Sequence, residues 1–251
     1  MVWETAAFQP IYEDEHTLAV CKSAGVVAHP SYKNADGTLK NAVDDWYAQQ
    51  NKPAPWLMHR LDKDTSGVVL FARTEFALKM YAKQFKRHTT VKWYIAIVNG
   101  CSADSAGMIH LPLLRDPEDR RRVISGIDGA AAETRYIRRI AGAQVSLLYL
   151  QPVTGRTHQL RAHTSLMGFP VLGDTVYNAR DQANPDREAR MYLHAAALSI
   201  MAPECERSVT RRFFYSAPPK EFYDRAPELA QIDLASELAA LIAESFKQYS
   251  M

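Results

Sequence analysis

Residues 59–72 combine a charged, polar segment with an apolar run, and they constrain the fold more than any other stretch. In order they are His59-Arg60-Leu61-Asp62-Lys63-Asp64-Thr65-Ser66-Gly67-Val68-Val69-Leu70-Phe71-Ala72. The apolar run is typical of a buried strand, and Gly67 can act as the hinge that leads into it. Reactive side chains often lie on a loop that a rigid element holds in place. Asp62 and Asp64 are therefore candidate functional groups, although a well-capped surface turn would have the same composition.

The overall composition is that of a globular protein with a substantial core. The chain has 251 residues, of which 47% are hydrophobic and 23% are charged. This length allows one large domain or two small ones. Because the formal net charge is only +2, the total charge does not indicate a nucleic-acid-binding protein. Evidence for such binding has to come from local clusters of basic residues.

The cysteines and the N-terminus indicate a cytoplasmic protein. Cys21, Cys101 and Cys205 are far apart and lack CxxC spacing, so reduced, buried thiols are expected rather than disulfides or a zinc ribbon. The first residues do not have the pattern of a signal peptide. No apolar run approaches the roughly 18 residues of a membrane span. A cytoplasmic location is therefore expected.

Helix and strand patterns follow one another without strict alternation. Apolar residues at helical spacing predict helices that begin at Thr38 and end before Pro53, over 74–88, over 157–167 and after Pro219. Strands are predicted over 17–22, 68–72, 91–98, 134–140, 145–150, 192–200 and 208–215. This mixed order favours an α+β fold over a doubly wound parallel sheet.

Two polar segments are predicted to lie outside the sheet. Residues 112–129 combine several arginines with Pro, Asp and Gly, which indicates a basic loop. Residues 173–190 are polar and rich in turn-forming residues, so we expect them to be exposed. No segment has the composition of a linker, which favours a single domain.

The sequence argues against an aspartic protease and against a zinc site. Asp64-Thr65-Ser66-Gly67 is similar to the tetrapeptide of aspartic proteases, but those enzymes need two such aspartates and the tetrapeptide occurs once. His158 and His163 lack the Glu of an HExxH zinc helix, so structural histidines are favoured over a metal site. Gly-rich phosphate loops are absent from the sequence.

Arg161 and Tyr94 are the remaining residues that suggest a site. Tyr94 lies in the predicted strand 91–98, where it could be a core ring with a tethered hydroxyl or a ring that faces a pocket and stacks on a planar base. Arg161 lies between apolar neighbours in a predicted helix, so a half-buried guanidinium with a carboxylate partner is expected. That partner could be any acidic residue, or Asp62 or Asp64 of the charged segment. Basic residues are concentrated over 79–92, 115–122, 135–139 and 156–161. Together these features suggest a pocket that acts on a phosphate-bearing partner such as RNA.

Several blocks, in order along the chain, match the motifs of one enzyme family. The two main blocks are His59-Arg60-Leu61-Asp62 with Thr65-Ser66-Gly67, and Gly155-Arg156-Thr157-His158-Gln159-Leu160-Arg161 with Gly168 and 170–174. Shorter matches are Lys92 with Tyr94, Lys22 with Gly25 and His29-Pro30, 132–136, and Leu193-His194-Ala195. Together they resemble the RluA-type family of RNA pseudouridine synthases over nearly the whole chain.

The resemblance implies a fold and a set of roles. The expected fold is α+β, with a mixed, mostly antiparallel central sheet, flanking helices and a catalytic cleft across the sheet. Asp62 would be the catalytic carboxylate and Arg161 its salt-bridge partner, while Tyr94 would stack on the base. Arg60 would enter the RNA and help to hold the flipped nucleotide. Further RNA-binding residues would be Lys92, Arg156 and His158.

The resemblance also implies an organisation and a substrate. Residues 1–222 would form the catalytic domain without an S4-like domain, and 223–251 a helical extension packed on it. The expected activity converts uridines of structured RNA into pseudouridine, with ribosomal RNA slightly preferred over transfer RNA. We expect a monomer that needs no metal or cofactor and binds neither DNA nor a membrane. The alternative is a non-catalytic RNA-binding module of the same fold.

Overall fold

The computed structural model describes residues 7–32, 34–100, 104–142, 144–179, 188, 190–203 and 210–247. The chain forms two compact units, each assembled from separate stretches of sequence. The first unit comprises residues 1–92, 195–217 and 235–251, and the second comprises 93–194 and 218–234. The predicted catalytic domain and the predicted extension each contribute to both units, so the division at residue 222 stays a prediction.

The sheet of the first unit is built around a strand that is buried along its whole length. This strand is β4 (Ser66–Ala72), which pairs in antiparallel fashion with β2 (Thr17–Lys22) and with the short β3 (Trp56–Leu57). β1 (Phe8–Glu13) pairs with β2, and β12 (Arg211–Tyr215) pairs with β11 (Leu193–Met201). β11 starts in the second unit and continues into the first from residue 195. The predicted buried strand after Gly67 is confirmed.

Local capping residues define where the helices of the first unit begin. The Thr38 side chain accepts the Asn41 N–H and the Asn41 side chain accepts the Thr38 N–H, so α1 (Leu39–Ala48) begins with a capping box. The Thr74 hydroxyl accepts the Ala77 N–H at the start of α2 (Glu75–Lys86). Ala77 and Tyr81 of α2 pack on β4 within one hydrophobic cluster. Both predicted helices are confirmed.

The sheet of the second unit is antiparallel. Its strands are β5 (Val91–Asn99), β6 (Ala106–His110), β9 (Glu133–Ala141) and β10 (Val145–Pro152), in the order β5-β10-β9-β6. Val91 and Lys92 of β5 belong to the first unit. The predicted pairing of 134–140 with 145–150 is confirmed, as is the α+β class with mostly antiparallel strands.

The helices of the second unit are shorter than those of the first. α3 (Gln159–Leu166) begins two residues later than predicted, because His158 has a left-handed backbone conformation with φ 53°. α4 (Lys220–Arg225) is followed by a 3₁₀ helix (Pro227–Gln231). The last helix of the chain, α5 (Leu234–Lys247), matches its prediction and lies in the first unit from residue 235.

The predicted basic loop over 112–129 is wrong. This segment contains a hairpin of β7 (Leu113–Arg115) and β8 (Val123–Ser125), in which Leu113 pairs with Ser125. Leu113 is buried in a cluster with Ala132, Ala162 and Tyr177. The two strands have three residues each, too few for alternation to be visible among the turn-forming residues.

The segment 173–190 was predicted to be exposed, and its described start is not. Asp174, Tyr177 and Asn178 are buried, because their polar atoms find partners inside the second unit. Residues 180–187 and 189 lie outside the described part of the chain, as do Cys101 and Cys205. The described cysteine, Cys21, is half-buried with a free thiol. Within the described ranges, no helix is long and apolar enough to cross a membrane.

Candidate active site

The Asp62 loop follows β3 and leads directly into β4. Asp62 is half-buried, whereas Arg60, Lys63 and Asp64 are exposed. The N–H of Thr65 donates to the Asp62 carbonyl at 3.2 Å, which closes a tight turn. Of the two carboxylates, Asp62 is therefore the one that the fold partly withdraws from water.

Gly67 allows this loop to enter β4. Its φ angle is 120°, a conformation that residues with a side chain rarely adopt. A Cβ atom at this position would overlap the backbone of Ala195 in β11. The hinge role predicted for Gly67 thus has two causes, a positive φ and a close backbone approach.

Lys22, a fully buried residue at the end of β2, anchors the Asp62 loop. Its ammonium group donates to the carbonyls of Ser23, Val26 and Lys63 at 2.7, 2.8 and 2.9 Å. The Lys63 carbonyl directly follows Asp62, so the lysine fastens the loop to β2. Lys22 belongs to one of the shorter motif matches, which does not by itself predict this anchor. The sequence feature that could have indicated the anchor is a lysine at the end of a largely apolar strand.

His59 and Lys92 lie close together in the first unit. Nε2 of His59 accepts the Leu70 N–H at 3.1 Å, and its ring stacks on Phe85 with the centroids 5.1 Å apart. Burial and the charge of Lys92 lower the pKa of His59 to about 3, so the imidazole is neutral at physiological pH. Lys92 is half-buried, and burial lowers the pKa of its ammonium group.

Arg161 forms a buried bidentate ion pair with Asp174 in the second unit. Nε and Nη2 of Arg161 lie 2.7 and 2.9 Å from the two carboxylate oxygens. Asp174 also accepts the N–H groups of Val176 and Tyr177. Burial raises the pKa of Asp174, but these hydrogen bonds and the Arg161 charge outweigh it and hold the pKa below its ordinary value.

The ring of Tyr177 connects several predicted site residues of the second unit. The guanidinium carbon of Arg161 lies 5.1 Å from the ring centroid. The Tyr177 hydroxyl lies 3.1 Å from Nδ1 of His158 and accepts the Val123 N–H of the β7–β8 hairpin at 2.8 Å. Tyr177 therefore brings Arg161 and His158 together. Sequence reasoning missed it because it lies in a polar stretch without periodicity.

Tyr94 and Arg156 differ in exposure. Tyr94 lies on β5 opposite Leu150 and is only 9% exposed. Arg156 is exposed, and its Nε donates to the Ala131 carbonyl at 3.0 Å. The segment that leads into α3 is held by Gln159, whose side-chain amide forms hydrogen bonds with Thr134, Thr154 and the Arg156 N–H. The segment before α3 is thus held at its base while the Arg156 side chain reaches the surface.

His163 has a structural role in the second unit. Nδ1 lies 2.9 Å from the Thr134 hydroxyl, and Nε2 lies 3.0 Å from the Leu111 carbonyl, which only accepts. Burial lowers the pKa of His163. Among the described residues there is no group of three or more His, Cys, Asp or Glu side chains that could hold a metal ion.

The predicted site residues are divided between the two units. Arg60, Asp62 and Lys92 belong to the first unit, and Tyr94, Arg156, His158 and Arg161 belong to the second. Within its own unit, Arg161 has Asp174 as carboxylate partner, which agrees with the expectation that any acidic residue could pair with it. The predicted pairing of Arg161 with Asp62 stays a prediction.

The family model described as RNA pseudouridylate synthase matches residues 16–166. This range exceeds half of the chain and contains Arg60, Asp62, Tyr94 and Arg161. The chain belongs to this family. The resemblance to RluA-type synthases found in the sequence motifs is thereby confirmed.

Individual relatives agree with membership of the pseudouridylate synthase family. An uncharacterised RNA pseudouridine synthase of Synechocystis is 36% identical over 80% of this chain and 63% of the relative. Ribosomal large subunit pseudouridine synthase D of Borreliella burgdorferi is 37% identical over 76% of this chain and 60% of the relative. The chain thus spans less than two thirds of the length of these relatives.

A solved structure supports the fold. Human RNA Pseudouridylate Synthase Domain Containing 1 has a TM-score of 0.68 and 28% identity, and the match covers 84% of each chain. This likeness agrees with the α+β class derived from the mixed order of helices and strands.

Proposed function

We propose that this member of the pseudouridylate synthase family isomerises uridines of structured RNA to pseudouridine, with Asp62 as the catalytic carboxylate. The observation that carries the proposal is the family match over 16–166, which includes Asp62 and Arg161. The reaction moves the glycosidic bond of uridine from N1 to C5 of the base. It needs one group that attacks or deprotonates the ribose and a pocket that excludes water while the bond is broken.

The position of Asp62 supports this role. Its side chain is half-buried in a loop that is closed by Thr65 and anchored at the next residue by Lys22. A carboxylate held in this way can attack C1′ of the ribose or remove the proton at C2′. Partial burial strengthens its interaction with a substrate, because water screens the charge less there.

The other predicted site residues supply the remaining roles in the proposal. The buried ring of Tyr94 would stack on the uracil, and its hydroxyl would assist removal of the C5 proton. Arg161 is held rigidly by Asp174, as expected of a guanidinium that orients a reacting group. Exposed Arg60 would enter the RNA stack, while Arg156, His158 and Lys92 would contact the RNA backbone.

Single-stranded or bulged RNA is the proposed substrate class. A target base has to leave its stack, which costs a few kcal/mol and least where the base is unpaired. Ribosomal RNA is our preferred target, because one of the relatives carries the name of a ribosomal large subunit synthase. Transfer RNA is the second candidate. A monomer in the cytoplasm, where both RNAs occur, completes the proposal.

Substitution of Asp62 tests the proposal, and Asp64 provides a matched control two residues away. Asp62→Asn should lower pseudouridine formation by more than about a hundredfold, the scale expected for loss of a catalytic base or nucleophile, while RNA binding persists. Asp64→Asn should retain activity, because Asp64 is exposed. Pseudouridine mapping in cells with and without the protein would identify the target. Normal turnover by Asp62→Asn would contradict the assignment, and inactivity of the wild-type chain on all cellular RNA would favour a non-catalytic RNA-binding module.

A further inference from the structure

We infer that His59 is a positioning residue, whose imidazole replaces a main-chain acceptor and thereby directs the Asp62 loop away from the sheet. The inference rests on the proposed function, because it gives Asp62 the catalytic role. All the residues involved belong to the first unit.

The ladder between β3 and β4 ends in an unusual hydrogen bond. Leu57 pairs with Phe71, and the Met58 N–H then donates to the Leu70 carbonyl at 3.0 Å. If the antiparallel ladder continued, the Leu70 N–H would donate to the main-chain carbonyl of Met58, because directly opposite residues of a hydrogen-bonded pair exchange both bonds. It donates instead to Nε2 of His59 at 3.1 Å. The side chain of His59 thus completes the ladder while its main chain leaves the sheet.

This hydrogen bond satisfies a donor that has no access to water. Leu70 is fully buried, and a buried N–H without an acceptor is strongly disfavoured. The imidazole is held in place because its ring stacks on Phe85 of α2, with an angle of 30° between the planes. Nε2 can accept only when it carries no proton, so the bond requires the neutral tautomer with the proton on Nδ1.

The consequence for Asp62 follows from the length of the chain between them. Asp62 lies three positions after His59 in the chain, so their Cα atoms lie within about 11 Å. On the other side, the Lys22 ammonium group holds the Lys63 carbonyl at 2.9 Å. The carboxylate therefore lies between two fixed points, one on each side in sequence. Displacement of a reacting group by about 1 Å can lower the rate of an enzyme by about a hundredfold.

Two amide substitutions separate this role from ordinary packing. In His59→Gln the amide oxygen can reach the position of Nε2, whereas in His59→Asn the shorter amide reaches only the position of Nδ1. We expect kcat to fall about 10-fold to 100-fold in His59→Asn and His59→Leu, with little change in KM, and to be largely rescued in His59→Gln. Each kcat is calculated per molecule of folded protein, and it is measured well below the melting temperature of every variant. His110→Leu, at an exposed position on β6, is the control and should retain kcat.

A measurement on the wild-type protein keeps the test independent of how the variants fold. Long-range ¹H–¹⁵N spectra should show His59 protonated on Nδ1, with no titration between pH 5 and 8. A proton on Nε2, titration near the ordinary pKa of histidine, or wild-type kcat in folded His59→Leu would each overturn the inference. If His59→Leu retains kcat while Asp62→Asn is inactive, the inference alone fails. If Asp62→Asn remains active, the proposed function fails as well.

Discussion

Arg161 and Asp174 are joined by two parallel hydrogen bonds in the second unit, and both side chains are almost inaccessible to water. Asp174 in turn accepts two backbone N–H groups from its own turn. A planar guanidinium held at two points has little freedom to rotate. The pair therefore fixes the orientation of Arg161 independently of any substrate.

Asp174→Ala should destabilise the protein by about 3–5 kcal/mol, because it leaves a buried guanidinium without its carboxylate. Asp174→Asn should cost less, since the amide oxygen can still accept one of the hydrogen bonds. Denaturant unfolding curves would measure both effects. Asp128→Asn, at an exposed position in the turn after β8, serves as a control and should leave the free energy of unfolding unchanged within about 0.5 kcal/mol. Equal stability of Asp174→Ala and the wild type would contradict the role of the pair.

Lys22→Met should lower both stability and catalytic rate. The substitution keeps an unbranched side chain but removes the terminal ammonium group. The carbonyls of Ser23, Val26 and Lys63 lose their donor, at a cost of about 1–3 kcal/mol for each carbonyl that finds no other partner. Lys63→Met is the matched control, because the Lys63 side chain is exposed and its carbonyl is retained. Thermal unfolding and pseudouridine formation would be measured on both variants. A normal melting temperature for Lys22→Met would show that the anchor does not stabilise the fold.

Gly67→Ala should be among the most destabilising single substitutions in the first unit. It combines a φ of 120° with overlap between the new Cβ and the Ala195 backbone, and we expect a loss of about 3–5 kcal/mol. Gly25→Ala measures the cost of the positive φ alone, because Gly25 has a φ of 82° and open space around it. Its expected cost is about 1–2 kcal/mol. Chemical denaturation of both variants would decide whether the close approach to β11 adds to the conformational strain.

The stability of the folded protein should fall as the pH drops below about 6.5. The folded-state pKa of His59 is lowered to about 3, so between these pH values the unfolded chain binds a proton at this position and the folded protein does not. Stability from this group is fully present above pH 6.5 and is lost towards pH 3, with a slope of up to about 1.4 kcal/mol per pH unit. His163 acts in the same direction.

His59→Gln tests this pH dependence, because the amide does not titrate. The free energies of unfolding of wild type and variant would be compared at pH 7 and pH 5. We expect the free energy of unfolding to change less between pH 7 and pH 5 in the variant than in the wild type. An identical difference would mean that His59 is not held neutral in the folded protein.

Affinity for RNA should depend on salt concentration, because contacts with phosphates release bound counterions. The dissociation constant should rise markedly between about 50 and 200 mM salt, a range over which several phosphate contacts have large effects. Arg156→Gln should reduce the slope of log Kd against log salt concentration by about 1, as expected for the loss of one phosphate contact. Filter binding or fluorescence anisotropy on the Asp62→Asn variant, which leaves the RNA unmodified, would measure it. A flat response would argue against RNA binding through basic side chains.

The sequence by itself determined the elements whose cause is local. Thr38 and Thr74 each precede an amphipathic run and accept an N–H of the first helical turn, so both helix starts were readable from neighbouring residues. The run after Gly67 was recognisable as a buried strand for the same reason. The motifs that contain Asp62 and Arg161 lie within short stretches, and they were sufficient to indicate the family.

Only the tertiary structure decided which residues support the site. Lys22 lies 41 positions from the carbonyl that it anchors, and Tyr177 lies 54 positions from the hairpin N–H that it accepts. The partner of Arg161 within its own unit is a buried aspartate in a stretch that looked exposed from its composition. Periodicity and capping report the environment of neighbouring residues. The partner of a buried charge depends on which distant backbone and side-chain groups the packing brings within hydrogen-bonding distance, and local sequence carries no record of that choice.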